Sequence, residues 1–228
     1  RARYFLFIPW TYRYFEEHRV PSHKIERRLK SYEVRLIDAL AETGEDGVIG
    51  IVSGASLQRF PSSNYWNGLG AWGIRRFLGS QNQYHRSLDH FYRERSSPRR
   101  AEDRESLVGA AKPNWDPNLP ELPPPFPEQA SFRLTEEEAR YLRERLLISC
   151  GESLLATLVT ECEPVEEVRF VWQHPQRARF PNEQNAWIDH AHNFSEVMYG
   201  AVLLYNLMLA EERGDVGLVE TYEQDLAG

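Results

Sequence analysis

The stretch that decides the fold is NEQNAWIDHAHNFSEVMYGAVLLYNLMLAEER, residues 182–213. Pro181 and Asn182 form a helix start signal and Gly214 forms a stop signal, with no proline between them. At ~1.5 Å per residue, a helix of this length would span roughly 48 Å. The pattern predicts one long helix near the C-terminal end of the sequence.

The two halves of this helix differ in how their apolar residues are spaced. In the first half, one stripe at helical spacing is formed by Trp187, Ala191, Phe194 and Met198. The second half, residues 199–210, is apolar on all sides apart from Asn206. A helix without a polar face is normally surrounded by protein. We therefore expect residues 199–210 to form the axis of the core.

Three further helices follow from local signals. Ser22 can cap a helix that runs to about Thr43, and a helical pattern also covers residues 81–94. Thr135 and Glu138 form a capping box that opens a helix ending near Ile148. The segment 4–15, YFLFIPWTYRYF, is aromatic and apolar. Pro9 predicts a break there, with a strand or short helix before it and a helix after it.

Glycine and proline divide the rest of the chain. Gly68, Gly70 and Gly73 lie within six positions and indicate a close backbone approach, most simply to a neighbouring helix. Seven of the fourteen prolines fall in residues 113–127, which predicts an extended strap or linker. The sequence thus predicts a mainly α-helical protein packed around the long C-terminal helix, with minor short β elements.

The predicted helices and the proline-rich segment divide the chain into three parts. Residues 1–95 form an N-terminal helical region, residues 96–132 a proline-rich strap or linker, and residues 133–228 a C-terminal helical region. One continuous domain is the alternative for a chain of 228 residues.

Charge is distributed unevenly along the chain, which has a net charge of −7. Residues 1–112 carry 19 basic and 13 acidic residues, and residues 113–228 carry 8 basic and 21 acidic residues. The basic half could face phosphate groups, or the two halves could pack against each other.

Composition also bears on location. The apolar part of the long helix is shorter than the ~20 residues that a membrane span needs, so no membrane partner is predicted. Cys150 and Cys162 lie in apolar segments, and free buried thiols favour a reducing cytoplasm.

Arginines and aromatic residues cluster in the N-terminal half. The candidates for nucleic-acid contact are Arg59, Trp66, Arg75, Arg76 and Arg86. Arginine binds phosphate in a bidentate manner and aromatic rings stack on bases, so this combination suits DNA or RNA. The glycine-rich centre of the cluster does not match a recognition helix.

Sites for catalysis are poorly supported. Asp189, His192 and Glu196 share one face of the long helix and form a weak candidate metal site. His190 and His192 point about 200° apart on a helix, so they cannot bind the same ion. No GxGxxG motif follows a predicted strand, and the sequence contains no GxxxxGK(S/T) motif, no CxxC pair and no GxSxG motif. We therefore predict no cofactor and identify no catalytic residue.

Three blocks of the sequence are distinctive: RARYFLFIPW (residues 1–10), RFPSSNYWNGLGAWGI (residues 59–74) and HNFSEVMYGAVLLYNLMLAE (residues 192–211). Together they resemble the bacterial family called domain of unknown function 6361, and residues 132–146 are similar to it as well. The resemblance covers nearly the whole chain and implies further sequence before Arg1 and after Gly228. It brings no catalytic residues with it. Genes of this family tend to lie beside helicases and phospholipase D-like nucleases, in apparent phage-defence or mobile islands.

Three hypotheses on function follow. The first is a non-enzymatic subunit of a bacterial defence or DNA-processing system that binds nucleic acid, a helicase or nuclease partner, or both. The second is a metal-dependent hydrolase or nuclease that uses Asp189, His192 and Glu196. The third is a structural scaffold protein.

Overall fold

The computed structural model describes residues 2–96, 112–165 and 168–227. This described part contains eight α-helices. They are α1 (Tyr4–Glu17), α2 (Ser22–Glu42), α3 (Pro61–Ala71), α4 (Gln81–Ser96), α5 (Glu136–Cys150), α6 (Leu154–Glu161), α7 (Asn182–Arg213) and α8 (Val216–Ala227). The only β pairing among the described residues is an isolated bridge between Arg75 and Trp115. The prediction of a mainly α fold is confirmed.

The chain forms two compact units, Arg1–Gly151 and Glu152–Gly228. The first contains α1 to α5, and the second contains α6 to α8. Residues 97–111 of the predicted linker lie outside the described residues.

Helix α1 is the most buried element of the first unit. Its fully or almost fully buried side chains are Tyr4, Leu6, Phe7, Ile8, Trp10, Tyr12 and Phe15. The expected break at Pro9 is wrong, because one helix runs through it from Tyr4 to Glu17. A proline inside a helix costs about 3 kcal/mol, whereas burying each large apolar side chain contributes about 1.5–3 kcal/mol. Packing on all sides therefore outweighs the lost hydrogen bond.

The glycines in and after α3 lie where neighbouring side chains approach the backbone. A Cβ atom on Gly70 would lie 2.4 Å from the Arg75 guanidinium, and one on Gly68 would lie 3.1 Å from the ring of Phe5 on α1. Gly73 has a φ of +66°, a conformation that side-chain-bearing residues rarely adopt. The predicted close approach is thus made partly to a neighbouring helix and partly to an arginine side chain.

The proline-rich segment contributes to the core of the first unit. Trp115 and Leu119 are buried, and the Trp115 indole donates to the Glu16 carboxylate at 3.2 Å. The backbone of residues 114–116 forms hydrogen bonds with Ile74, Arg76 and Phe77. This part of the predicted strap therefore closes the bundle.

Helix α5 begins as the sequence predicts. The Thr135 hydroxyl accepts from the Glu138 amide at 3.2 Å, and the Glu138 carboxylate accepts from the Thr135 amide at 2.9 Å. The same carboxylate forms a buried ion pair with Arg3 at 2.7 Å. The capping box is confirmed, and it also attaches α5 to the start of α1.

In the second unit, α7 has the predicted limits and packs against α8. The expectation that residues 199–210 form a core axis is wrong, since only Leu203 and Ala210 are buried there. Tyr199, Tyr205 and Met208 are each about 60% exposed. No helix in the described ranges combines the length and apolar character of a membrane span. Cys150 and Cys162 are half-buried.

Candidate functional site

The first unit contains a cleft of about 560 Å³ between α2, α3 and α4. The residues that line its polar part are Glu26, Lys30, Gln58, Ser63, Asn82 and His85. Phe60 and Leu57 add apolar surface. The cleft therefore combines hydrogen-bonding groups with one aromatic ring.

The floor of the cleft is a buried carboxylate. Glu33 of α2 is 4% exposed. Its Oε1 accepts from the Ser62 amide at 2.7 Å, and its Oε2 accepts from the Ser62 hydroxyl at 3.0 Å. Burial raises the pKa of Glu33 to about 7, although the two bonds from Ser62 act in the opposite direction. Ser62 lies in the first turn of α3, where amide groups are free to donate to a carboxylate.

A hydrogen-bonded chain extends from this carboxylate across the floor. The Gln81 amide donates to the Ser62 hydroxyl at 2.9 Å and to the Tyr12 hydroxyl at 2.8 Å. The Tyr12 hydroxyl lies 2.8 Å from Nε2 of His85. Burial raises the pKa of Tyr12 and lowers the pKa of His85 to about 4, so the tyrosine donates to a neutral imidazole. These hydrogen bonds link side chains of α1, α2, α3 and α4, which form a rigid floor of the cleft with little charge.

The floor is not arranged for nucleophilic catalysis. Ser62 and Glu33 resemble a hydroxyl with its general base, but Ser62 is only 2% exposed. A nucleophile needs access to a substrate as well as a base. The pair instead anchors the start of α3 to α2. The geometry is that of a binding cleft.

One basic residue, Lys30, lines the cleft, and two exposed arginines adjoin lining residues in the chain. Lys30 lies 5.8 Å from the centre of the Phe60 ring. Arg59 lies between two lining residues, Gln58 and Phe60, and is exposed. Arg86 follows the lining residue His85 and is exposed as well. We call Lys30, Arg59 and Arg86 the basic rim. Two of the five nucleic-acid candidates thus lie beside one cleft.

The other three candidates have structural partners. Trp66 is 5% exposed, and its indole donates to the Gly79 carbonyl at 2.8 Å. The Arg75 guanidinium lies 4.7 Å from the Trp66 ring and donates to the carbonyls of Trp66, Phe77 and Gly79. Arg76 pairs with Asp116 at 2.9 Å. These contacts stabilise the connection between α3 and α4.

Two of the three weak metal candidates, His192 and Glu196, contact each other, and the third, Asp189, contacts an arginine. Asp189 pairs with Arg177. The His192 ring stacks on Trp172 with 4.7 Å between ring centres, and its Nε2 lies 3.1 Å from Glu196. Within the described ranges, no group of three or more His, Cys, Asp or Glu residues is placed to hold a metal ion.

Sequence reasoning missed the floor of the cleft, although one signal was available. Glu33 precedes Leu36, Ile37 and Leu40 by three, four and seven positions, which puts a carboxylate on the apolar face of α2. Gln81 and His85 gave no comparable signal. They lie near Glu33 only because α4 packs on α2.

Comparison with known proteins gives one match. The model of a family of unknown function, DUF6361, matches residues 1–224. No curated protein and no solved structure matches the chain.

Proposed function

We propose that this chain, which belongs to the family of unknown function DUF6361, is a non-enzymatic subunit that binds single-stranded nucleic acid. The setting we propose is a bacterial defence or DNA-processing system with a helicase or nuclease partner. The genomic neighbours implied by the family resemblance motivate that setting. The cleft and its basic rim motivate the binding activity.

The basic rim is the observation that carries the proposal. Lys30 lines the cleft, Arg59 and Arg86 are exposed and directly adjoin lining residues in the chain, and Glu26 is the exposed carboxylate among the lining residues. Exposed lysine and arginine side chains bind the phosphate backbone by charge and give affinity without reading sequence. Below a pH of about 7, Glu33 is protonated and adds no negative charge to the cleft.

The interior of the cleft suits an unstacked base. Phe60 is half-buried and presents a ring, and Gln58, Ser63 and Asn82 offer donors and acceptors. Bases of a duplex stay stacked, whereas those of a single strand can turn out onto aromatic side chains. The cleft therefore supports binding of single strands in preference to duplex.

The test is fluorescence anisotropy with labelled single-stranded and duplex oligonucleotides at 50 and 200 mM salt. We expect tighter binding of the single strand. The triple variant Lys30→Ala/Arg59→Ala/Arg86→Ala should lose at least about tenfold in affinity. Three lost phosphate contacts should also reduce the slope of log affinity against log salt by about 2.

A matched control variant distinguishes binding at this site from a general effect of positive charge on affinity. Arg133, Arg140 and Arg143 are exposed arginines in and before α5. Replacing all three with alanine removes the same charge and should leave affinity within about twofold of the unchanged protein. Equal losses in both triple variants, or no binding at 50 mM salt, would show that the proposal is wrong.

A further inference from the structure

Helix α7 carries an apolar seam that the described residues of the chain leave exposed. Its seven positions alternate in steps of four and three: Trp187, Ala191, Phe194, Met198, Ala201, Tyr205 and Met208. All seven are exposed, with Phe194 at 67% and Tyr205 at 63%. A 4–3 alternation is the heptad pattern by which helices pack on one another in coiled coils. We call these residues the seam.

In the second half of α7, the seam lies on the opposite side of the helix from the buried residues. Leu203 and Ala210 are the buried residues of the second half. Each follows a seam residue, Ala201 or Met208, by two positions, which corresponds to about 200° around the helix. The seam extends over 22 positions, about 33 Å at 1.5 Å per residue. An exposed apolar surface of this length indicates an interaction site.

We propose that the seam binds the same seam of a second copy of the chain in an antiparallel orientation. In antiparallel coiled coils, the two sets of heptad positions face each other across the interface. The register that pairs large with small seam residues places Met198 opposite Ala201 and Ala191 opposite Met208, with Trp187 at the end of the seam opposite Glu212. Phe194 then faces Tyr205. Each large side chain next to a small one fills the space that the small one leaves.

A parallel pair of seams fits less well. It would place Ala191 against Ala191 and Ala201 against Ala201, which leaves voids in two layers. It would also bring Glu211 and Glu212 of both copies together at one end, where like charges repel. The antiparallel register separates these carboxylates by most of the length of the seam.

The exposed area is sufficient for a stable dimer. Val197 and Leu204 flank the seam and are 70% and 52% exposed. The exposed parts of the seam and these two flanking residues sum to roughly 800 Å², and a standard interface buries about 800 Å² on each partner. The antiparallel register also sets Val197 beside Leu204 of the other copy. This interface is independent of the nucleic-acid cleft, so either proposal can fail alone.

Light scattering after size exclusion, at several concentrations of the whole chain, tests the proposal. We expect a dimer near 53 kDa, twice the chain mass of 26.6 kDa. Met198→Glu/Tyr205→Glu should give a monomer with unchanged circular dichroism, because both side chains are exposed. Leu78→Glu/Ile148→Glu, at two exposed apolar residues of the first unit, should remain a dimer. A monomer for the unchanged chain at about 100 μM, or a dimer that survives the seam variant, would overturn the proposal.

Spin-label distances test the orientation. One label is attached at Glu212→Cys in a background with Cys150→Ser and Cys162→Ser. In the antiparallel register the two labels should lie about 40 Å apart, at 1.5 Å rise per residue. Parallel helices would place them within about 20 Å, since helix axes pack 8–10 Å apart. The shorter distance would overturn the antiparallel register.

Discussion

Replacing Asp116 with alanine is expected to lower the free energy of unfolding by about 2–3 kcal/mol, the upper part of the usual cost of leaving buried hydrogen-bonding groups without a partner. Asp116 is 1% exposed. Its carboxylate lies 2.9 Å from Arg76 and 3.6 Å from Arg145, and it accepts from the Tyr141 hydroxyl at 3.2 Å. Without it, the buried Tyr141 hydroxyl loses a hydrogen-bonding partner that water cannot easily replace, and the half-buried Arg145 loses an ion-pair partner.

The position of Asp116 in the chain explains why the effect should be large. Its carboxylate joins three parts of the first unit: the proline-rich segment, the connection after α3, and α5. The expected readout is a lower urea midpoint with an unchanged m-value, as for a loss of stability without a change in the unfolded surface.

A control is available in the same proline-rich segment. Glu128 pairs with Arg35, but its side chain is 49% exposed. Because exposed pairs contribute about 0–1 kcal/mol, Glu128→Ala should cost less than about 1 kcal/mol. Similar costs for Asp116→Ala and Glu128→Ala would mean that burial of the Asp116 pair does not determine its contribution.

Local signals in the sequence predicted where helices begin and end. They were less successful in predicting which residues surround each helix. The start and stop residues of α7 and the capping box of α5 act within a few residues, so the sequence contains all the information that sets them. Pro9 is also a local signal, but its effect is smaller than the burial of Trp10 and its neighbours in the first unit. The sequence could not reveal this packing, since it depends on which helices surround α1.

The burial of α7 was predicted wrongly for a related reason. An apolar circumference indicates that residues 199–210 favour contact with protein over water. It does not indicate whether that protein is part of the same chain. The same limit applies to the cleft. Arg59 and Trp66 look alike as candidates in the sequence, yet Arg59 is exposed beside the cleft and Trp66 is buried under Arg75.

Glu33→Gln is expected to remove a pH dependence that the buried carboxylate gives to folding. Burial raises the pKa of Glu33 in the folded protein from the ordinary 4.5 to about 7. The folded state therefore holds the proton more tightly than the unfolded state does. This contribution is fully present below pH 4.5 and is lost as the pH rises through 7. Between pH 5 and 8.5 the loss amounts to about 2.5 kcal/mol, at 1.36 kcal/mol per pKa unit.

The pH dependence of His85 overlaps that of Glu33, so the stability of the unchanged protein must be compared with that of the Glu33→Gln variant. Burial lowers its pKa to about 4, so it contributes stability above pH 6.5 that is lost as the pH falls through 4. The two groups oppose each other, and their combined contribution should be greatest between their two folded-state pKa values, at a pH of about 5.5. Glutamine at position 33 stays neutral, so the maximum in the variant should move to higher pH. Urea unfolding of both proteins at pH 5, 7 and 8.5 measures the difference. A difference in stability between them that stays constant over this range would mean that Glu33 does not titrate on folding.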